Sequence, residues 1–113
     1  MNPELTTLIE NRMPLAGVAA WGIRGADGSI LHHSYTVWLS TAQIEQTVAR
    51  LALAAESLQY HELHPRRLCW TFANLRLSLA LRSDGSWLVL FIENGPDQPL
   101  TETNAVLEQW ING

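Results

Sequence analysis

At 113 residues the chain has the length of one ordinary domain, and a hydrophobic fraction of 47% supplies a core and excludes disorder. The net charge is −4, and the seven basic residues are all arginines, spread from Arg12 to Arg82 with only Arg66 and Arg67 adjacent; this is not the footprint of a nucleic-acid or anionic-lipid binder. Lysine is absent, which excludes Schiff-base and phosphate-loop lysine chemistry.

A single cysteine forbids an internal disulfide and points to a reducing cytoplasm. No apolar run reaches the ~18 residues of a membrane span. The opening MNPELTTLIENR lacks the basic start and apolar centre of a signal peptide. One domain over residues 1–113 is expected.

The first helix is predicted from Pro3 to Arg12. Asn2 suits its N-cap, Pro3 its first position, and Leu5, Leu8 and Ile9 its buried stripe; Pro14 and Gly17 end it. VAAWGI at Val18–Ile23 is apolar on both strand faces. Ala26-Asp27-Gly28-Ser29 reads as a tight turn, and Ile30–Ser34 returns as the second strand. Tyr35–Leu39 reads two ways: an extension of that strand, or a connection packed by Val37 and Trp38.

The longest helical pattern follows, from Thr41 to Tyr60, about 30 Å in length. Ser40 and Gln43 form a capping box, and Leu39 with Ile44 has the spacing of a hydrophobic staple. Ile44, Val48, Leu51, Ala55 and Leu58 share one face, which should bury against a sheet. Ala49, Leu53 and Tyr60 make a second apolar strip nearly opposite, bordered by Gln46, Glu56 and Ser57. Scattered surface apolars are one reading of that strip; a subunit or partner interface is the other.

HELHPRR is the helix exit, because Pro65 forbids continuation. Leu68–Phe72 alternates as a third strand, with Leu68, Trp70 and Phe72 on one face. Ala73-Asn74 turns the chain. Leu75–Arg82 sets Leu75, Leu77, Leu79 and Leu81 against Arg76, Ser78, Ala80 and Arg82. Ser83-Asp84-Gly85-Ser86 repeats the turn chemistry. Trp87–Ile92 is apolar on both faces, and Asn94-Gly95-Pro96 breaks it. A last helix, Pro99–Ile111, turns Leu100, Leu107, Trp110 and Ile111 inward.

Strands apolar on both faces must be central and covered twice. Val18–Ile23 and Trp87–Ile92 are such strands, whereas Ile30–Ser34 and Leu68–Phe72 read as edges. Hairpin connections then give an α/β (α+β sandwich) domain with a five-stranded antiparallel sheet in the order 2-1-5-4-3. The long helix covers one face and the two terminal helices the other. The Leu68–Phe72 edge has neither Pro nor Lys to blunt it. Such an edge beside a helix with a spare apolar strip invites dimerisation.

The texture of the chain resembles the roadblock / dynein light chain family, including its bacterial GTPase-regulator-like members. The matching stretches are the opening helix ending in PLAGV, the hairpin RGADGSIL, the helix TVARLALAAESL, the strands LCWTFANLRLSLALRSDGSWLVLFIE and a closing helix. The resemblance spans essentially the whole chain. It departs from the family in its five tryptophans, its missing lysines and its HELHPRR exit.

The resemblance implies a homodimer or family heterodimer, in which third strands pair edge to edge and long helices lie side by side. It implies binding to a small Ras-like GTPase or a scaffold role in a larger complex, with no catalytic residue, cofactor or metal. The dimer and partner surface falls on Ala49, Leu53 and Tyr60 of the helix and on Leu68, Cys69, Trp70 and Thr71 of the strand.

Chemistry read from the residues themselves stays thin. His61 and His64 stand three apart where Pro65 ends the helix, and His32 and His33 point to opposite faces of a strand, so a zinc set is not expected. Cys69 lacks the electropositive setting of a reactive thiol and reads as a small buried or interface residue. Asp27 and Asp84 each precede Gly in a turn, which accounts for both. The glycines 17, 22, 25 and 28 precede no helix and form no phosphate loop. Trp21, Trp38, Trp70 and Trp87 read as core, with Trp38 and Trp70 also placed to anchor a partner.

Two other functions fit parts of the pattern. A type III secretion-like effector chaperone would need three strands before Ser40. A small-ligand sensor of PAS or profilin-like type would need an internal cavity.

Overall fold

The computed structural model describes residues 3–94 and 101–113. The predicted Asn2 cap, the Gly95-Pro96 break, Pro99 and Leu100 lie outside the described residues. Helix α1 (Pro3–Glu10) leads into strands β1 (Val18–Arg24) and β2 (Ile30–Ser34). Helix α2 (Thr41–Ser57) ends in a 3-10 turn over Leu58–His61. Strands β3 (Arg67–Thr71), β4 (Leu75–Leu81) and β5 (Trp87–Glu93) follow, then helix α3 (Thr101–Asn112).

The sheet is antiparallel throughout, in the order β2-β1-β5-β4-β3. Alternation along β5 explains its central place. Trp87, Val89 and Phe91 belong to the core beneath α2, and Leu88, Leu90 and Ile92 to the core beneath α1 and α3. All six are buried, as strict alternation on a strand covered on both faces requires. Strand β1 shifts register against β5 between Val18 and Ala20. This bulge returns Val18 to the side of Trp21 and Ile23, under α1 and α3.

Helix α2 starts as its sequence dictates. Ser40 Oγ accepts from the Gln43 amide at 3.2 Å, and Gln43 Oε1 accepts from the Ser40 amide at 2.8 Å. Leu39 and Ile44 join the same apolar cluster. Ile44, Val48, Ala52 and Ala55 are the buried residues of the helix, while Leu51 and Leu58 are only half-buried. The predicted stripe is thus rotated toward Ala52, because the helix lies close over Ala19, Ala20 and Gly22, where small side chains set the approach. A Cβ on Gly22 would stand 2.5 Å from Val48 Cγ2. Two polar contacts tie the helix to the β1–β2 hairpin: Arg24 pairs with Glu56, and His32 Nε2 lies 3.0 Å from Glu45 Oε1.

Tyr35–Leu39 is a connection, so two strands precede Ser40, not the three of an effector chaperone. Val37 does not pack it: the side chain is fully exposed, and Trp38 is 51% exposed. In α3, Leu107 and Trp110 point inward as predicted, joined by Thr103 and Val106, and Trp110 Nε1 donates to the Ser86 carbonyl at 3.0 Å.

Both hairpin turns are built as their sequences indicate. Gly28 and Gly85 have φ of 88° and 92°, where a side chain would be strained. Asp27 accepts from the Ser29 hydroxyl and amide at 2.6 and 3.0 Å. The hydroxyl, then the amide, lowers the Asp27 carboxyl from 3.8 to about 2. A lowered folded value means that this turn contributes stability above the ordinary carboxylate range, and loses it as pH falls through about 2.

Two outcomes are expected. In Ser29→Ala, the Asp27 carboxyl titrates closer to its ordinary value, read by carboxyl NMR. Gly22→Ala destabilises the fold by roughly 1–3 kcal/mol in denaturant unfolding, and Val48→Ala in the same chain recovers part of that loss.

Candidate functional site

The two edges of the sheet are not equivalent. Glu45 of α2 reaches down to His32 on β2, so the helix overhangs that edge. On the opposite side, the sheet extends past α2 to β4 and β3. Two grooves open there between the helix and the strands. One, of about 460 Å³, is lined by Gln43, Gln46, Thr47 and Arg50 of α2 and by Phe72–Leu75, Leu77 and Phe91. The other, of about 610 Å³, lies between Leu53, Glu56, Ser57 and Gln59 and the group His64, Leu81, Gly85 and Trp87. Both are open troughs along the flank of α2, not the enclosed chamber of a ligand sensor.

The hydrogen-bond phase of β3 defines what its edge presents. Phe72 donates its amide to the Leu75 carbonyl, and Leu81 donates to the Arg66 carbonyl, each at 2.8 Å. In an antiparallel ladder every second residue faces the neighbouring strand. Arg66, Leu68, Trp70 and Phe72 therefore bond to β4, and the amides and carbonyls of Arg67, Cys69 and Thr71 point away from the sheet.

The residues predicted to form the interface divide accordingly. Leu68 and Trp70 are half-buried and pack into the core beneath α2. Cys69 and Thr71 lie on the α3 side and are exposed. Cys69 is thus not buried: its side chain is exposed, and the Ser78 hydroxyl donates to its Sγ at 3.8 Å. Ala49 and Leu53 are exposed on α2, Leu53 to 68%. The side chain of Tyr60 lies outside the described part of the structure.

Other parts of this surface carried weaker sequence signals. Phe72, which strand alternation set on the face of Leu68 and Trp70, lies beyond the end of β3 and is 54% exposed where it lines the first of these grooves. Leu63, in the exit after the 3-10 turn, is exposed as well. Gln46 and Arg50 line the first groove, while Leu53, about one helical turn beyond Arg50, lines the second. Arg67 is held on the α3 side, Nη1 at 3.1 Å from Glu108 Oε1 and Nη2 at 3.1 Å from Asn104 Oδ1.

The histidines are dispersed. His61 and His64 are exposed, His32 is engaged by Glu45, and His33 contacts the rings of Trp21 and Tyr35, with centroids 6.4 and 4.7 Å away. Among the described residues no three metal-ligating groups come together. Asp27 and Asp84 are occupied by turn contacts to Ser29 and Ser86. No helix among the described residues is long and apolar enough to cross a membrane.

No protein-family model and no curated protein matches the chain. Solved structures do match in shape. MglB of Myxococcus xanthus superposes with a TM-score of 0.66 at 11% identity, covering 94% of this chain and 84% of the other. An MglB structure with a tetrameric arrangement gives 0.65 at 15% identity, covering 97% and 87%. A roadblock/LC7 domain from Streptomyces avermitilis gives 0.63 at 14% identity, covering 95% and 88%. Element order, sheet order and helix placement over nearly the full length identify the architecture of this chain as the roadblock/LC7 fold.

Proposed function

We propose that this domain is a self-associating, non-enzymatic binding module that pairs through β3 and the adjoining flank of α2. The observation that carries the reading is the juxtaposition of three unsaturated features on one side of the fold. These are the outward-facing backbone of Arg67, Cys69 and Thr71, the half-buried Leu68 and Trp70, and the exposed Leu53 above open grooves. A strand edge is completed by another strand, and the apolar trough beside it by another helix. A second copy supplies both at once under a two-fold axis. The tetrameric arrangement described for an MglB structure of the same fold supports self-association in this architecture.

The partner class follows from the resemblance to roadblock proteins and from the fold. The paired α2 helices would offer a continuous platform to a small Ras-like GTPase or to a larger assembly, in the cytoplasm. Regulation would then work by preference for one nucleotide state of the GTPase, without inserting a catalytic group.

Leu53→Glu is expected to weaken self-association by about 2 kcal/mol, roughly thirtyfold in Kd, in sedimentation equilibrium. The helical signal should persist, because Leu53 is exposed in the single chain. An unchanged assembly state would remove Leu53 from the interface. Candidate GTPases loaded with GDP or with a GTP analogue should differ in affinity by at least about fivefold. Equal affinity for the two forms would contradict a regulatory role.

A further inference from the structure

We propose that a notch formed by Trp38, Asn74, Glu93 and Asn94 receives an arginine side chain from the surface of a partner protein. The notch is built within one chain and does not depend on pairing through β3.

Its volume is about 400 Å³, and it lies between the connection that leads into α2 and the chain at the start of β4 and the end of β5. Hydrogen bonds fix both walls. On one, the Ser34 hydroxyl donates to the Thr36 carbonyl at 2.8 Å and accepts from the Thr36 amide at 3.2 Å. Thr36 Oγ1 in turn accepts from the Trp38 amide at 3.4 Å. Leu39 packs into the core beneath α2, so the connection is anchored at both ends while Trp38 stays half in solvent. On the other wall, the Asn94 amide donates to the Asn74 carbonyl at 3.2 Å, and Asn94 Nδ2 donates to the Phe72 carbonyl at 2.7 Å.

The groups lining the notch select a cation. Glu93 stands opposite Leu75 on β4, and alternation along β5 puts it with Phe91 on the α2 side. It is exposed, and among the described residues it has no ion-pair partner. Asn94 Nδ2 is already engaged, which leaves Oδ1 of that side chain to accept. An indole ring, an unpaired carboxylate and an amide oxygen suit a group that carries positive charge and only donates. A guanidinium meets this best, because its plane stacks on an indole while its edge pairs with a carboxylate. A neutral ligand would leave the Glu93 charge unpaired. The net charge of −4 favours the approach of a cation to this chain.

The surroundings point to a side chain borne by a protein. Val37, next to Trp38, is fully exposed, and Phe72, whose carbonyl Asn94 holds, is 54% exposed. Apolar residues around a charged anchor are what a protein surface covers, excluding water from the ion pair.

A capped tripeptide, leucine-arginine-leucine, serves as the probe, titrated into the full chain and followed by heteronuclear NMR. The Trp38 indole N–H and the Glu93 and Asn94 amides should shift together and saturate. The same peptide with citrulline, which keeps the shape and loses the charge, should bind at least about tenfold more weakly. Glu93→Gln and Trp38→Ala should each weaken the arginine peptide about fivefold. Both side chains are exposed, so the rest of the spectrum should stay that of the wild type. Equal binding of the arginine and citrulline peptides would overturn the assignment. So would the absence of a saturating shift, or shifts centred away from Trp38 and Glu93.

Discussion

Everything in this fold depends on a sheet centre that is apolar on both faces. β5 sends Trp87, Val89 and Phe91 one way and Leu88, Leu90 and Ile92 the other, and none of the six reaches solvent. Burying such a strand requires a layer on each side. Among the described residues three α-helices supply these layers, one long helix against two short ones. The long helix lies close to the small residues Ala19, Ala20 and Gly22, and its own Val48 leaves no room for a side chain at Gly22.

That placement has a consequence at the far side of the sheet. A helix drawn toward β1 and held to β2 by Glu45 leaves the α2-side face of β4 and β3 only partly covered. Leu68 and Trp70 are left half-buried, and the outer backbone of β3 has no strand partner among the described residues. The same geometry that closes the core therefore produces the open surface. Function, in the reading proposed here, is what the fold leaves uncovered.

Much of this was legible in the residues. The capping box at Ser40 and Gln43, the Asp-Gly turns, and the doubly apolar VAAWGI and WLVLFI determine the elements and the strand order through local, periodic signals. What escaped depends on tertiary approach. The β1 bulge returns Val18 to the side of Trp21, which no simple alternation shows. Ala52, in place of Leu51, joins Ile44, Val48 and Ala55 as the buried residues of α2, because helix rotation is set by the small residues beneath it. Cys69 is open to solvent because α3 stops short of the edge, and a helix's lateral position is not written in its own periodicity. At the candidate site, Leu53 and the β3 edge were visible as pattern violations, whereas the contacts of Arg67 with Asn104 and Glu108 join residues far apart in sequence.

Amide hydrogen exchange of β3 as a function of protein concentration tests the central claim most directly. The outward amides of Arg67, Cys69 and Thr71 should exchange quickly in dilute solution. They should become protected together as concentration rises, while the inward amides of Leu68 and Trp70 are protected throughout. If those three amides exchange freely at every concentration at which the chain self-associates, the β3 edge is not where its copies meet.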